Sequence, residues 1–119
     1  MILNAVIQSA DLTILDHGML SADIRLKLQD GGEASYGGYN LGVYTSLDNP
    51  NNKLNFGGIF IAKVLLTVGV YRWSDLPRKA IRADISDHLH MIQAIGHIIE
   101  EKWLNSKDLY SQLLAEQSK

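Results

Sequence analysis

Leu20, Ala22, Ile24, Leu26 and Leu28 alternate with Ser21, Asp23, Arg25, Lys27 and Gln29. Successive side chains on a strand point to opposite faces, so this run carries one apolar face and one polar face. Asp30-Gly31-Gly32 follows, and its glycines can adopt the positive φ of a tight hairpin turn. The returning strand spans Glu33 to Leu41 and contains Tyr36-Gly37-Gly38-Tyr39. Glycine weakens a strand, and the usual reasons for it there are a bulge or close approach of another group to the backbone. The doublet between two tyrosines is therefore the first candidate surface for a ligand or a second subunit.

Ahead of this hairpin, Met1 to Ser9 reads as a strand with Leu3, Ala5 and Ile7 on one face, Ile2 and Val6 on the other, and both faces partly covered. Ala10 to Asp16 either continues it after a bend or forms a loop, and Asp16-His17-Gly18 punctuates the start of the next strand. After the hairpin, Gly42 to Asn55 has loop composition, with a turn cluster at Asp48-Asn49-Pro50-Asn51-Asn52. Gly57 to Val68 reads as a helix that is apolar nearly all round, with Asn55 as N-cap, Lys63 and Thr67 as its polar stripe, and Gly69 as a left-handed C-terminal cap. Ser74 is placed to cap a single helical turn that Pro77 ends. Ala80 to Ile85 reads as a short strand with Arg82 and Asp84 on one face, and Ser86-Asp87-His88 as a turn. Leu89 to Ile99 reads as the last strand. Met91, Ile95, Ile98 and Ile99 also fit a helical spacing, but Gly96 and the β-branched isoleucines favour the strand. Ser106 then caps a helix ending near Glu116, with Asp108 in its first turn and Leu109, Leu113 and Tyr110 as its buried stripe.

These elements make a fold of α+β class: a curved antiparallel sheet of about five strands, one apolar helix packed across it, and a C-terminal helix. The 119 residues suit a single domain, 1–119. A homo-oligomer is expected, because one sheet cannot cover so apolar a helix and the glycine doublet suits close approach between subunits.

The totals exclude several functions. Without cysteine there is no disulfide, thiolate metal site or cysteine nucleophile. Eleven basic residues against 13 acidic ones, a formal net charge of −2, argue against bulk nucleic-acid binding. No apolar run approaches the ~20 residues of a membrane helix, and the N-terminus has no basic start or cleavage region, so the expectation is a cytoplasmic protein without a membrane partner.

The candidate chemistry is sparse. Asp16, His17, Asp87, His88 and His90 include metal-ligand types, but they fall in separate turns and turn chemistry accounts for Asp16-His17-Gly18, so no metal and no cofactor is expected. His97, near Glu100 and Glu101, has the chemistry of a general base; a lone histidine among isoleucines is more often a hydrogen-bonded core or interface residue. No nucleophile elbow and no phosphate-binding loop with its lysine is present. Arg72, Arg78, Lys79 and Arg82 surround Trp73. With Tyr36, Tyr39 and Tyr71 they offer guanidinium forks for phosphate and rings for stacking on a base. Trp73 is more simply an anchor of the helix end to the core. Arg82, a charge on a short inner strand, needs a partner.

Asp16-His17-Gly18-Met19-Leu20, Tyr36-Gly37-Gly38-Tyr39, Phe60-Ile61, Gly69-Val70, Trp73-Ser74-Asp75-Leu76, Ile81-Arg82, Ile95-Gly96-His97-Ile98 and Lys102-Trp103 together resemble a family of small proteins carried by tailed phages and prophages. The pattern covers most of the chain from Asp16 to Leu104. It departs from the family in Tyr36, where Phe is usual, and in Pro77-Arg78, where Gly is common. The resemblance implies a counter-defence protein of the host-cell cytoplasm, similar to the anti-Thoeris type, which are oligomers that sequester cyclic ADP-ribose-like signals.

The leading expectation is thus a non-enzymatic, homo-oligomeric immune-evasion protein that binds a nucleotide-derived signal without turnover. Tyr36, Gly37, Gly38, Tyr39, Arg72, Arg82 and His97 are its candidate ligand-binding residues. The alternative is an anti-CRISPR-type inhibitor that binds a host defence protein through an exposed patch, with Glu100, Glu101 and Asp108 as its best residues. A small hydrolase using the histidines ranks third.

Overall fold

Strand β1, Ile2–Leu15, lies between two antiparallel neighbours, β2 at Met19–Leu28 and β4 at Ala80–Ile85. The structure, a computed structural model, describes residues 1–15, 19–38, 56–86 and 91–117. With β3 at Glu33–Gly38, β5 at Ile92–His97 and β6 at Trp103–Leu104, six strands form one open antiparallel sheet in the order β3-β2-β1-β4-β5-β6. Helix α1 is Phe56–Val68 and helix α2 is Ser106–Gln117. The class is α+β as expected, with a sixth strand beyond the expected five.

Period-two burial carries the sheet. Ala5 and Ile7 of β1, Ala22, Ile24 and Leu26 of β2, and Ile81, Ala83 and Ile85 of β4 are buried in one core with Phe60, Val64 and Val68 of α1 and Leu109 of α2. The other face of β1 is not covered as expected: Ile2 is 55% and Val6 44% exposed. β1 continues past Ser9 to Leu15, so the stretch from Ala10 is strand and not loop, and a register shift against β2 lies between Ile7 and Ser9. The Asp30-Gly31-Gly32 turn forms with Gly31 at φ 96° and with Gly32 N–H donating to Asp30 Oδ1 at 2.9 Å.

The helix ends follow local chemistry, with corrections. Gly69 takes φ 92° and its N–H donates to the Leu65 carbonyl, as a left-handed cap requires. Thr67 is buried while Lys63 is exposed, so they do not form one polar stripe; Thr67 lies three residues after core-facing Val64 and shares its side of the helix. Asn55 lies outside the described residues. The turn at Trp73–Asp75 is 3-10, preceded by Arg72 in extended conformation, so Ser74 is inside the turn and does not cap it. Trp73 packs against the core, and its buried indole N–H has no partner among the described residues. At α2 the cap is Asn105, whose Oδ1 accepts from Asp108 N–H at 3.2 Å, in place of Ser106.

Of the last expected strand, Leu89 to Ile99, Leu89 and His90 lie outside the described residues, Ile92–His97 form β5, and Ile98 to Glu101 turn the chain into β6. Strand β6 has two residues, too few to carry a periodicity in the sequence.

Candidate functional site: a braced hairpin loop

Arg82 lies between the buried Ile81 and Ala83, so its side chain leaves β4 on the face opposite the core. Strand register places it beside Asn4 of β1 and Gly96 of β5, and Gly96 beside Trp103 of β6. Gly96 lets the Trp103 indole lie against the β5 backbone: a Cβ at position 96 would stand 2.7 Å from the ring. The Arg82 guanidinium carbon is 4.7 Å from the Trp103 ring centroid, within cation–π reach. Its Nε donates to the His97 carbonyl and its Nη2 to the Glu100 carbonyl, both at 2.8 Å. Nη2 also stands 3.0 Å from Glu101 Oε1, and the side chain is only 19% exposed. The charge on an inner strand thus finds its partner in the protein's own hairpin loop.

His97 braces the same loop. Its Nδ1 accepts the backbone N–H of Ile99 at 3.1 Å and of Glu100 at 2.9 Å. A ring nitrogen that accepts carries no proton, so the neutral ring holds its proton on Nε2. Nε2 faces the end of α1, where a Cβ on Gly69 would be 3.6 Å away. His97 N–H donates to the Lys102 carbonyl at 3.0 Å and Lys102 N–H to the Glu100 carbonyl at 2.9 Å, closing the turn. Lys102 Nζ reaches Glu100 Oε2 at 2.8 Å, and Trp103 Nε1 donates to Glu101 Oε2 at 3.2 Å. Both carboxyls are held below the usual carboxylate range: Glu100 chiefly by the Lys102 hydrogen bond, Glu101 chiefly by that of Trp103 and then by Arg82. Amid these bonds Ile99 is 81% exposed.

Of the expected ligand-binding residues that are described, only Arg82 and His97 are brought together here. Tyr36 is buried in the core, from strand β3 but reaching β6. Its hydroxyl donates to the Leu104 carbonyl at 3.0 Å and accepts from Ser106 N–H at 2.9 Å, while its ring lies 5.9 Å from that of Phe60. Burial pushes its phenol up, so it is a neutral core residue tying β3 to the start of α2. Gly37 has φ 92°, and a Cβ there would collide with the Ala22 carbonyl oxygen. Close approach within the β2–β3 pair therefore explains it; no bulge interrupts that register, in which Gly38 faces Ala22. Tyr39 lies outside the described residues. Arg72 is exposed beside Asp75, Nε to Oδ2 3.5 Å, and follows Tyr71, which is 98% exposed.

Among the described residues no three His, Asp or Glu side chains gather as a metal site. Asp16, His17, Asp87, His88 and His90 lie outside them. Sequence reasoning missed the part played by Trp103. The available signal was a glycine in an isoleucine-rich strand, followed seven residues later by a tryptophan: a ring that needs a flat floor. No protein-family model and no curated protein sequence matches the chain.

Proposed function

We propose that the protein acts by binding and not by turnover, as a counter-defence factor that docks on a host defence protein through the loop from Ile98 to Lys102. One observation carries this reading: an exposed isoleucine is presented by a loop held at both ends by Arg82, His97 and Trp103. A preordered loop loses little entropy on docking, where each immobilised side chain otherwise costs about 0.5–1.5 kcal/mol. The phage and defence setting rests on the resemblance of the motifs named above.

A second reading is the nucleotide-signal sponge. Its support is the exposed Tyr71-Arg72 pair, which leaves a ring face for a base and guanidinium nitrogens for a phosphate. Arg82 serves this reading less well, because its nitrogens already hold the hairpin. In either case we place self-association on the open sheet face, where Ile2 and Val6 are uncovered.

The two readings separate by mutation. Ile99→Asp abolishes inhibition of the defence system and co-purification with its protein component, while Tyr71→Ala/Arg72→Ala leaves both intact. A thermal-shift screen against cyclic dinucleotides, cyclic trinucleotides and cyclic ADP-ribose isomers tests the sponge, since a ligand bound only by the folded state raises Tm with concentration. A rise that Tyr71→Ala/Arg72→Ala removes, and that Ile99→Asp leaves, replaces the docking reading by sequestration.

A further inference from the structure

We infer that His97 is a proton-operated latch on the hairpin loop: its neutral ring holds the Ile99 and Glu100 amides, and its imidazolium releases them. The inference concerns the loop on which the docking reading rests, but stands on the geometry of the unbound protein.

Nδ1 accepts from Ile99 N–H and Glu100 N–H, at 3.1 and 2.9 Å. Both bonds need a lone pair on that nitrogen. Protonation turns Nδ1 into a donor facing two donors, so both contacts become repulsive together. The ring must swing away or the loop must open. With both bonds lost in the protonated ring, acidification favours the released loop.

The groups facing the ring set what the imidazolium meets. Glu100 lies on the loop itself, its backbone amide held by Nδ1 and its carboxylate paired with Lys102 Nζ at 2.8 Å. From β4, Arg82 holds the His97 carbonyl and stands beside Glu101. From α1 the neighbour is Gly69, which brings no charge. Glu100 keeps its Lys102 pair in the held loop, so neither carboxylate replaces the two bonds that the protonated ring gives up. The consequence is a switch in the presentation of Ile99: fixed at neutral pH, mobile in mild acid.

The test is amide exchange of Ile99 and Glu100 by NMR, normalised to intrinsic rates, at pH 7.5 and pH 5.5. These conditions bracket the ordinary histidine value of about 6.5. Protection of both amides is expected to fall by about tenfold or more in the wild type, as two backbone bonds are lost. In His97→Asn, whose side-chain oxygen accepts without titrating, protection changes little with pH. Unchanged protection in the wild type overturns the latch, and so does an equal fall in His97→Asn. Should His97→Asn fail to fold, Glu100→Gln with Glu101→Gln replaces it: a pH-dependent fall that persists there belongs to His97, and one that vanishes belongs to the carboxylates and overturns the inference. No partner enters the measurement, so its outcome is independent of whether Ile99 docks.

Discussion

Arg82 Nε donates to the backbone carbonyl of His97 at 2.8 Å, from the strand next to it and across the residue Gly96 that it faces in register. A side chain on one strand thereby fixes where the neighbouring strand ends and its turn begins. Because the same guanidinium also reaches the Glu100 carbonyl and the Glu101 carboxylate, one residue holds both ends of the turn.

Replacing Arg82 with Ala removes these bonds and uncovers Trp103. We expect a loss of about 2 kcal/mol in urea unfolding, typical of charge-assisted bonds in a mostly covered site. Arg82→Lys rescues little of it, since an ammonium cannot span two carbonyls and a carboxylate as a planar fork. Acid reveals the Glu101 arm. Its carboxyl is held below the ordinary 4.5, so its contribution is complete above pH 4.5 and disappears as pH falls through the lower folded value.

Gly96→Ala tests the floor under Trp103. The added methyl would stand 2.7 Å from the ring, so the indole must move, taking its bond to Glu101 with it. Overpacking of this kind costs about 1–3 kcal/mol. The near-ultraviolet dichroism of Trp103 should change in the same variant; a spectrum like the wild type's would show that the ring does not rest on Gly96.

Arg78 has φ 76°, a left-handed conformation that a side chain resists, while its N–H donates to the Ile7 carbonyl at 2.6 Å. Glycine in the same place keeps the bond and removes the steric conflict. Arg78→Gly is expected to raise stability by about 1 kcal/mol, read as a higher Tm. A lower Tm would mean that the arginine side chain contributes more than its backbone costs.

Asp23 stands opposite Asp11 in the β1–β2 register. Its carboxyl is raised above the ordinary 3.8, first by burial and then by Asp11, with Arg25 opposing. The folded protein thus binds this proton more tightly than the unfolded chain. The stability it brings is complete below pH 3.8 and is lost as pH rises through the folded value. At pH 7 the ionised pair is a cost, so Asp23→Asn should stabilise by about 0.5 kcal/mol, as expected for relief of like charges directly opposed across strands. At pH 3 the gain should vanish.

Much of the scaffold was legible because it rests on short-range periodicity. Ala22, Ile24 and Leu26 are buried as their alternation requires, and Gly31 and Gly69 take the positive φ that turn and cap demand. The candidate site was legible only in pieces. Arg82 needs a partner by its place on an inner strand and His97 reads as hydrogen-bonded, but the bond between them joins residues 15 apart in the chain. Tyr36 reads from the sequence as a ligand surface, since a strand's alternation does not say which face is covered; it is buried, and its hydroxyl partners lie 68 and 70 residues away.

The order of residues by itself determined the α+β class, the hairpin, the apolar helix and the small number of groups able to do chemistry, because backbone preference and hydrophobic period act over a few residues. Tertiary structure alone decided that Gly37 accommodates a neighbouring carbonyl, that Gly96 floors a tryptophan, and that Arg82, His97 and Trp103 converge on one loop. Those outcomes depend on which strands meet across long separations in the chain, and there the packing of the whole core, more than any local pattern, sets order and register.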